Sequence, residues 1–146
     1  MKYGNSNLLL TGDVEGAGEN NMIQALSRSW NQKSTENLKK EKNSKESEDL
    51  LEQSSNHINV LKVGHHGSKN ATTDELLDLI NPKVAIISCG KDNRYHHPHV
   101  EVLERLQARN ITYEVTEQHG AITLQFDGKK IKMSVFKKND NKKCSI

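Results

Sequence analysis

Residues 58–90 read INVLKVGHHGSKNATTDELLDLINPKVAIISCG, and the fold class turns on this stretch. Ile58–Val63 is rich in β-branched side chains and reads as a strand that runs straight into GHHGS. Thr72, with Glu75 three residues on, forms a capping box ahead of a helix over Glu75–Ile80. Pro82 stops that helix. Lys83–Ser88 is then a buried strand ending at Cys89 and Gly90. Strand, helix, strand is α/β order.

The same order extends outward. Upstream, Asn7–Gly12 (NLLLTG) is a short apolar run that suits a buried strand feeding a loop at Asp13. Glu19–Trp30 follows as a helix, with Met22, Ile23, Leu26 and Trp30 at helical spacing. Downstream, Lys91–His99 is a polar loop. Pro98 stands where a helix can begin, and Val100, Leu103, Leu106 and Gln107 make one face of that helix. Ile111–Val115, Ala121–Phe126 and Lys130–Phe136 read as three further strands, the last two joined by a tight Asp127–Gly128 turn. Three buried strands thus end, in turn, at Asp13, at His65–His66, and at the loop holding His96, His97 and His99. Open α/β sheets place ligands off the carboxyl ends of their strands.

Composition bounds the rest. The chain has 146 residues, enough for one domain. Only 33% are hydrophobic, and the mean hydropathy is −0.81. The deficit concentrates in Asn31–Asn56, where Leu38, Leu50 and Leu51 are the only large apolar side chains. Too little surface can be buried there to offset ordering entropy, so a mobile insertion is expected over 31–56, with at most a helical excursion in its Glu/Lys-rich part. A net charge of +2 does not mark a nucleic-acid binder. Lys129, Lys130, Lys132, Lys137, Lys138, Lys142 and Lys143 nevertheless crowd the C-terminal end, and residues 137–146 read as a basic tail. Cys89 ends an apolar run and is expected as a buried free thiol; with Cys144 it forms no CxxC. No signal peptide is present, and apolar runs such as Val84–Ile87 are far too short to span a bilayer, so a soluble chain is expected.

The chemistry-bearing residues are imidazoles and carboxylates, the ligands of zinc, and of manganese or iron where carboxylates dominate. Asp13 leaves its strand beside Gly12. Adjacent histidines on an extended chain point opposite ways, so one of His65 and His66 is expected to face a metal. The other is left to hold a substrate oxygen, donate a proton or orient a ligand. Gly64 and Gly67 leave room for a ligand close to the backbone. His97 and His99 lie beside a helix start, and Arg94 before them suits a phosphate or carboxylate. His57 and His119 lie outside these clusters and read as ordinary polar residues.

Four segments, LLLTGDVEG, VLKVGHHGSKN, PKVAIISCGKDNRYHHPHVEVLERL and HGAITLQF, together resemble the metallo-β-lactamase domain of ComEC-type DNA-internalisation (competence) proteins. The resemblance covers nearly the whole chain apart from the insertion and the last ten or so residues. It implies a four-layer αββα fold with a two-metal site, zinc or alternatively manganese, at one edge of its sheets. Asp13 matches the bridging aspartate and His97 the last histidine ligand. His65 and His66 match a pair whose division of labour between metal ligation and catalysis stays open. Arg94 and His99 are the expected substrate contacts, and His96 stands where such proteins more often have glycine.

The HxHxDH motif of that superfamily is absent from this sequence. It would precede the strand at Asn7–Gly12. The expectation is therefore the C-terminal half of an αββα domain, with one apolar sheet face in need of cover. The missing N-terminal half, or self-association, would supply that cover. Two functions follow from the resemblance. One is metal-dependent hydrolysis of a phosphoester, in DNA or a small molecule. The other is a catalytically inactive fragment or binding module. A structural adaptor built around the charged insertion is a third class, resting on composition alone. The chain itself is expected to make no membrane contact, whereas its parent protein would be membrane-anchored with this domain outside the cytoplasm.

Overall fold

The computed structural model describes residues 1–41, 58–136 and 143–145. The expected strands are all present, β2 shifted to start one residue earlier and the others trimmed: β2 is Ser6–Leu10, β3 Val60–Lys62, β4 Val84–Ile87, β5 Thr112–Val115, β6 Ile122–Phe126 and β7 Ile131–Val135. Three short elements carry too few residues for a periodic signal: β1 (Lys2–Tyr3), β8 (Lys143–Ser145) and α4 (Thr116–His119). The longer helices are α1 (Ala17–Glu41), α2 (Asp74–Ile80) and α3 (Val100–Ala108).

The chain is an α/β fold with two sheets. Strands β1 to β5 lie side by side in sequence order; β1 pairs antiparallel with β2, and β2 to β5 are all parallel. Parallel neighbours need crossovers, which α1, α2 and α3 supply. The second sheet is the antiparallel run β6–β7–β8.

Register divides the side chains of the first sheet between its faces. Leu9, Leu61 and Ala85 lie in one row across β2, β3 and β4. With Val63 and Ile87, they pack on Leu76, Leu77 and Ile80 of α2, on Val102 and Leu106 of α3, and on Met22, Ile23, Leu26 and Trp30 of α1. The opposite row, Leu8, Val60 and Val84, faces away from the helices. Val60 and Val84 are nonetheless buried, as are Ile131, Met133 and Val135 of β7. One face of the second sheet carries Thr123, Gln125 and Lys132, all exposed, opposite the buried row of β7. At the β1–β2 edge Tyr3 and Leu10 are exposed.

Two local expectations are revised. Residues 31–41 are helical, because α1 continues to Glu41. Low hydropathy removes a reason to be buried, not the capacity to be helical, and Glu, Lys and Gln are good helix formers. The rest of the expected insertion, 42–56, and most of the basic tail lie outside the described residues. The cap of α2 is Thr73, whose hydroxyl accepts from the Leu76 N–H at 3.4 Å. Thr72 is instead fully buried in a left-handed conformation, its Oγ1 accepting from the Gly64 N–H at 3.1 Å.

Candidate functional site

Because β2, β3 and β4 run parallel, their carboxyl ends share one edge, and the expected residues arrive there from three loops. Gly64–Gly67 is a tight turn rather than extended chain. His65 and His66 both adopt left-handed backbone angles, φ 42° and 56°. Such conformations cost of order 1–3 kcal/mol each in non-glycine residues, so the surroundings must enforce them. They do: the His65 N–H donates to Gly12 O at 2.8 Å, and the Ser68 N–H donates to His65 O at 2.9 Å.

The loop after the turn is held from two sides. The buried carboxylate of Glu19, on α1, accepts from the N–H groups of Thr72 and Thr73 at 2.6 and 2.8 Å. Arg105, on α3, donates to the carbonyls of Lys69 and Ala71 at 3.1 and 3.2 Å. The glycines flanking the histidines admit neighbouring chain rather than a ligand. A methyl group at Gly67, φ 90°, would sit 2.7 Å from Pro98 Cβ, and the His99 N–H reaches Gly67 O at 2.9 Å. This close approach locks the HHPH loop to the GHHG turn.

Hydrogen bonding fixes where the protons lie. The Nδ1 of His66 is 2.6 Å from Ser88 O; a carbonyl only accepts, so this nitrogen carries the hydrogen, and in the neutral ring Nε2 presents a lone pair. That Nε2 lies 4.0 Å from Asp13 Oδ1. The Nδ1 of His65 is 3.0 Å from Glu15 Oε2, which also accepts from the Ser68 hydroxyl at 3.2 Å, so in the neutral ring the His65 lone pair is again on Nε2. His99 is the reverse: its Nδ1 accepts the Lys69 N–H at 3.0 Å, which leaves Nε2–H as a donor in the neutral ring. Two imidazoles thus offer bases and one offers a donor.

His97 lies among them, its ring centre 5.7 Å from that of His65 and 4.7 Å from that of His99. Burial, then the neighbouring His99, His65 and His66, hold its pKa below the ordinary histidine value, while Glu15 opposes the shift. The stack continues outward: Tyr95 packs on His97 with ring centres 5.7 Å apart, and the Arg94 guanidinium lies 4.6 Å from the Tyr95 ring centre. His96 is exposed, with φ 55°. His119 pairs with Glu114 away from this cluster, and His57 lies outside the described residues.

Three residues join the site without having been expected. Glu15 backs His65, and Ser68 shares its carboxylate oxygen. Lys62 is half-buried at the end of β3; burial lowers its pKa, while the carboxylate of Asp13 and the thiol of Cys89 oppose that shift. A lysine interrupting the apolar run INVLKV was the available signal for Lys62. Cys89 itself is free and half-buried rather than buried, 4.0 Å from a Glu117 oxygen. Burial and Glu117 raise its pKa, which makes it a poor nucleophile.

A hydrolytic zinc centre takes three protein ligands and an open position. Asp13 and His66 offer two opposed donors of suitable chemistry. Among the described residues no three His, Cys, Asp or Glu side chains converge to hold one ion. The described residues alone therefore do not fit a resident metal. No described helix is long and apolar enough to cross a membrane.

The chain is similar to ComE operon protein 3 of Bacillus subtilis, 36% identical over 136 residues, covering 93% of this chain and 14% of that protein. Recombination protein 2 of Haemophilus influenzae is 40% identical over 123 residues, 84% of this chain and 12% of its own length. Competence protein ComA of Neisseria gonorrhoeae is 36% identical over 63 residues, 43% of this chain and 9% of its own. The chain is thus related to competence proteins, and it spans only 9–14% of the length of these three relatives. No family model and no solved structure matches the chain.

Proposed function

We propose that this chain is part of a metal-dependent phosphodiesterase of the metallo-β-lactamase type, acting on DNA in a competence process. The reading rests on one observation: the Asp13 carboxylate faces the lone-pair nitrogen of His66, whose other nitrogen is pinned to a backbone carbonyl. Metal-ligating histidines are oriented in this way, through their second ring N–H.

In this reading Asp13 and His66 contribute to a zinc or manganese ligand set. His97 lies beyond His65, where a second ion would draw on it. The remaining donors come from outside the described residues, either from another segment of a longer protein or from a second copy of the chain. His65, backed by Glu15, presents in its neutral form a bare Nε2 suited to moving a proton at the reacting oxygens. Arg94 and the Nε2–H of His99 are the donors that would hold the phosphate. A small phosphoester is the alternative substrate.

The shortfall in ligands favours a second reading, a binding module without turnover. Calorimetry with zinc and with manganese separates the two, run on the chain and on Asp13→Ala, His66→Ala and His97→Ala, with single-stranded DNA and a chromogenic phosphodiester as substrates. Stoichiometric binding that is lost in the variants, together with hydrolysis, supports the enzyme. Nucleic-acid binding without turnover leaves the module. Neither metal binding nor turnover, even with the missing segment of a longer relative added, would sink the hydrolase reading.

A further inference from the structure

The loop between β4 and α3 is built more firmly than its exposure requires. The side chain of Asn93 donates to Gly90 O at 2.9 Å and to His97 O at 2.7 Å, and its Oδ1 accepts the His97 N–H at 2.9 Å. The His99 N–H, bonded to Gly67 O, anchors the far end of the loop to the GHHG turn. What this frame displays is Tyr95, 56% exposed. One exposed aromatic needs no explanation by itself. This one is held in a stack, with His97 behind it at an interplanar angle of 24° and the Arg94 guanidinium over its ring, Nη2 donating to the phenol oxygen.

We infer that Tyr95 is a stacking step for a nucleobase, and that the strand entering this site is single-stranded. The inference deepens the phosphodiester reading above and rests on it. A small phosphoester uses only a cation; it has no use for an ordered aromatic ring. A nucleotide uses both, its base on the ring and its phosphate on the neighbouring guanidinium. When the base arrives, Arg94 exchanges an exposed cation–π contact, which is weak, for a charge-assisted bond to phosphate. Because the ring is already fixed by His97 and the loop, little side-chain freedom is lost on binding. Every base has a π face, so such a step is sequence-tolerant. A duplex keeps those faces stacked inside, which excludes it. Beyond His97 the ring contacts turn edge-on, to His65 and His99, so the stacked pair adjoins the candidate chemistry.

The test is fluorescence anisotropy in a chelator with the full chain and three labelled probes: oligothymidylate, an abasic strand of equal length, and a duplex. Tyr95→Ala weakens oligothymidylate binding about tenfold, in the range found for loss of one base–aromatic stack. Tyr95→Phe restores it, and the abasic strand is insensitive to both changes. Arg94→Ala weakens oligothymidylate and the abasic strand alike. Unchanged melting of the variants shows that the loop, not the fold, was altered. Equal binding of abasic and thymidylate strands, failure of Phe to rescue, or tighter binding of duplex overturns the stacking step alone. If the chain binds none of the probes, the nucleic-acid reading falls with it.

Discussion

Glu15 Oε2 lies 3.0 Å from Nδ1 of His65, across 50 residues of sequence, and the same oxygen accepts the Ser68 hydroxyl. In the neutral ring the carboxylate holds the tautomer with a bare Nε2. Glu15→Ala is therefore expected to release His65 to a mixture of tautomers, visible in its ring 15N shifts, while the fold persists. In the hydrolase proposed above it should lower activity by about 10–100-fold, the usual effect of losing such a partner. Glu15→Gln, which can still accept, should fall between. Unaltered His65 shifts in Glu15→Ala would count against this role.

Glu19 is a buried carboxylate whose task is structural: it satisfies two N–H groups at the entry to α2. Glu19→Ala leaves both without an acceptor. Hydrogen bonds to a charged group are worth about 1.5–3 kcal/mol, so urea unfolding should show a loss of at least roughly that size. Glu19→Gln should cost less. A loss below half a kilocalorie, on the order of ordinary surface substitutions, would show that the loop is held by other contacts.

Gly67 combines φ 90° with Pro98 Cβ at 2.7 Å from where its own side chain would begin. Gly67→Ala must therefore strain the backbone and push the HHPH loop away from the GHHG turn. The expected cost is about 1–3 kcal/mol in thermal or urea unfolding. The resonances of His66, His97 and His99 should move together, which a purely local strain would not produce.

His97 should titrate below its ordinary value of 6.5, chiefly through burial and then through the three neighbouring imidazoles. The unfolded chain then binds this proton more tightly than the folded one, so the contribution to stability is present above pH 6.5 and is lost as pH falls through 6.5 towards the folded midpoint. Proton NMR of the ring resonances gives the midpoint directly. His99→Ala removes one repelling charge and should move the His97 midpoint upward; a downward move would contradict the assigned cause.

Periodicity made much of the fold legible. The β-branched run of Ile58–Val63, the spacing of Met22, Ile23, Leu26 and Trp30, and the alternation in Ile131–Val135 are local signals of which face of each segment must be buried. The strand ends then indicated the edge at which Asp13, His65, His66, His97 and His99 would gather. Charge and hydropathy misled at Asn31–Glu41, because they report burial rather than helicity, and Thr72 was mistaken for a cap because its buried role depends on Gly64.

The sequence by itself determined the element order, the α/β class and the loops that carry the imidazoles, since these follow from propensity and pattern within a few residues. Only the tertiary structure decided that Glu15 backs His65, that Ser88 O pins His66 towards Asp13, and that Gly67 admits Pro98. Each of those contacts joins residues between 22 and 50 positions apart, and no local pattern encodes a partner at such a distance. The left-handed turn at His65–His66 belongs to the same class: the free chain disfavours it, and packing against Gly12 and Ser68 imposes it.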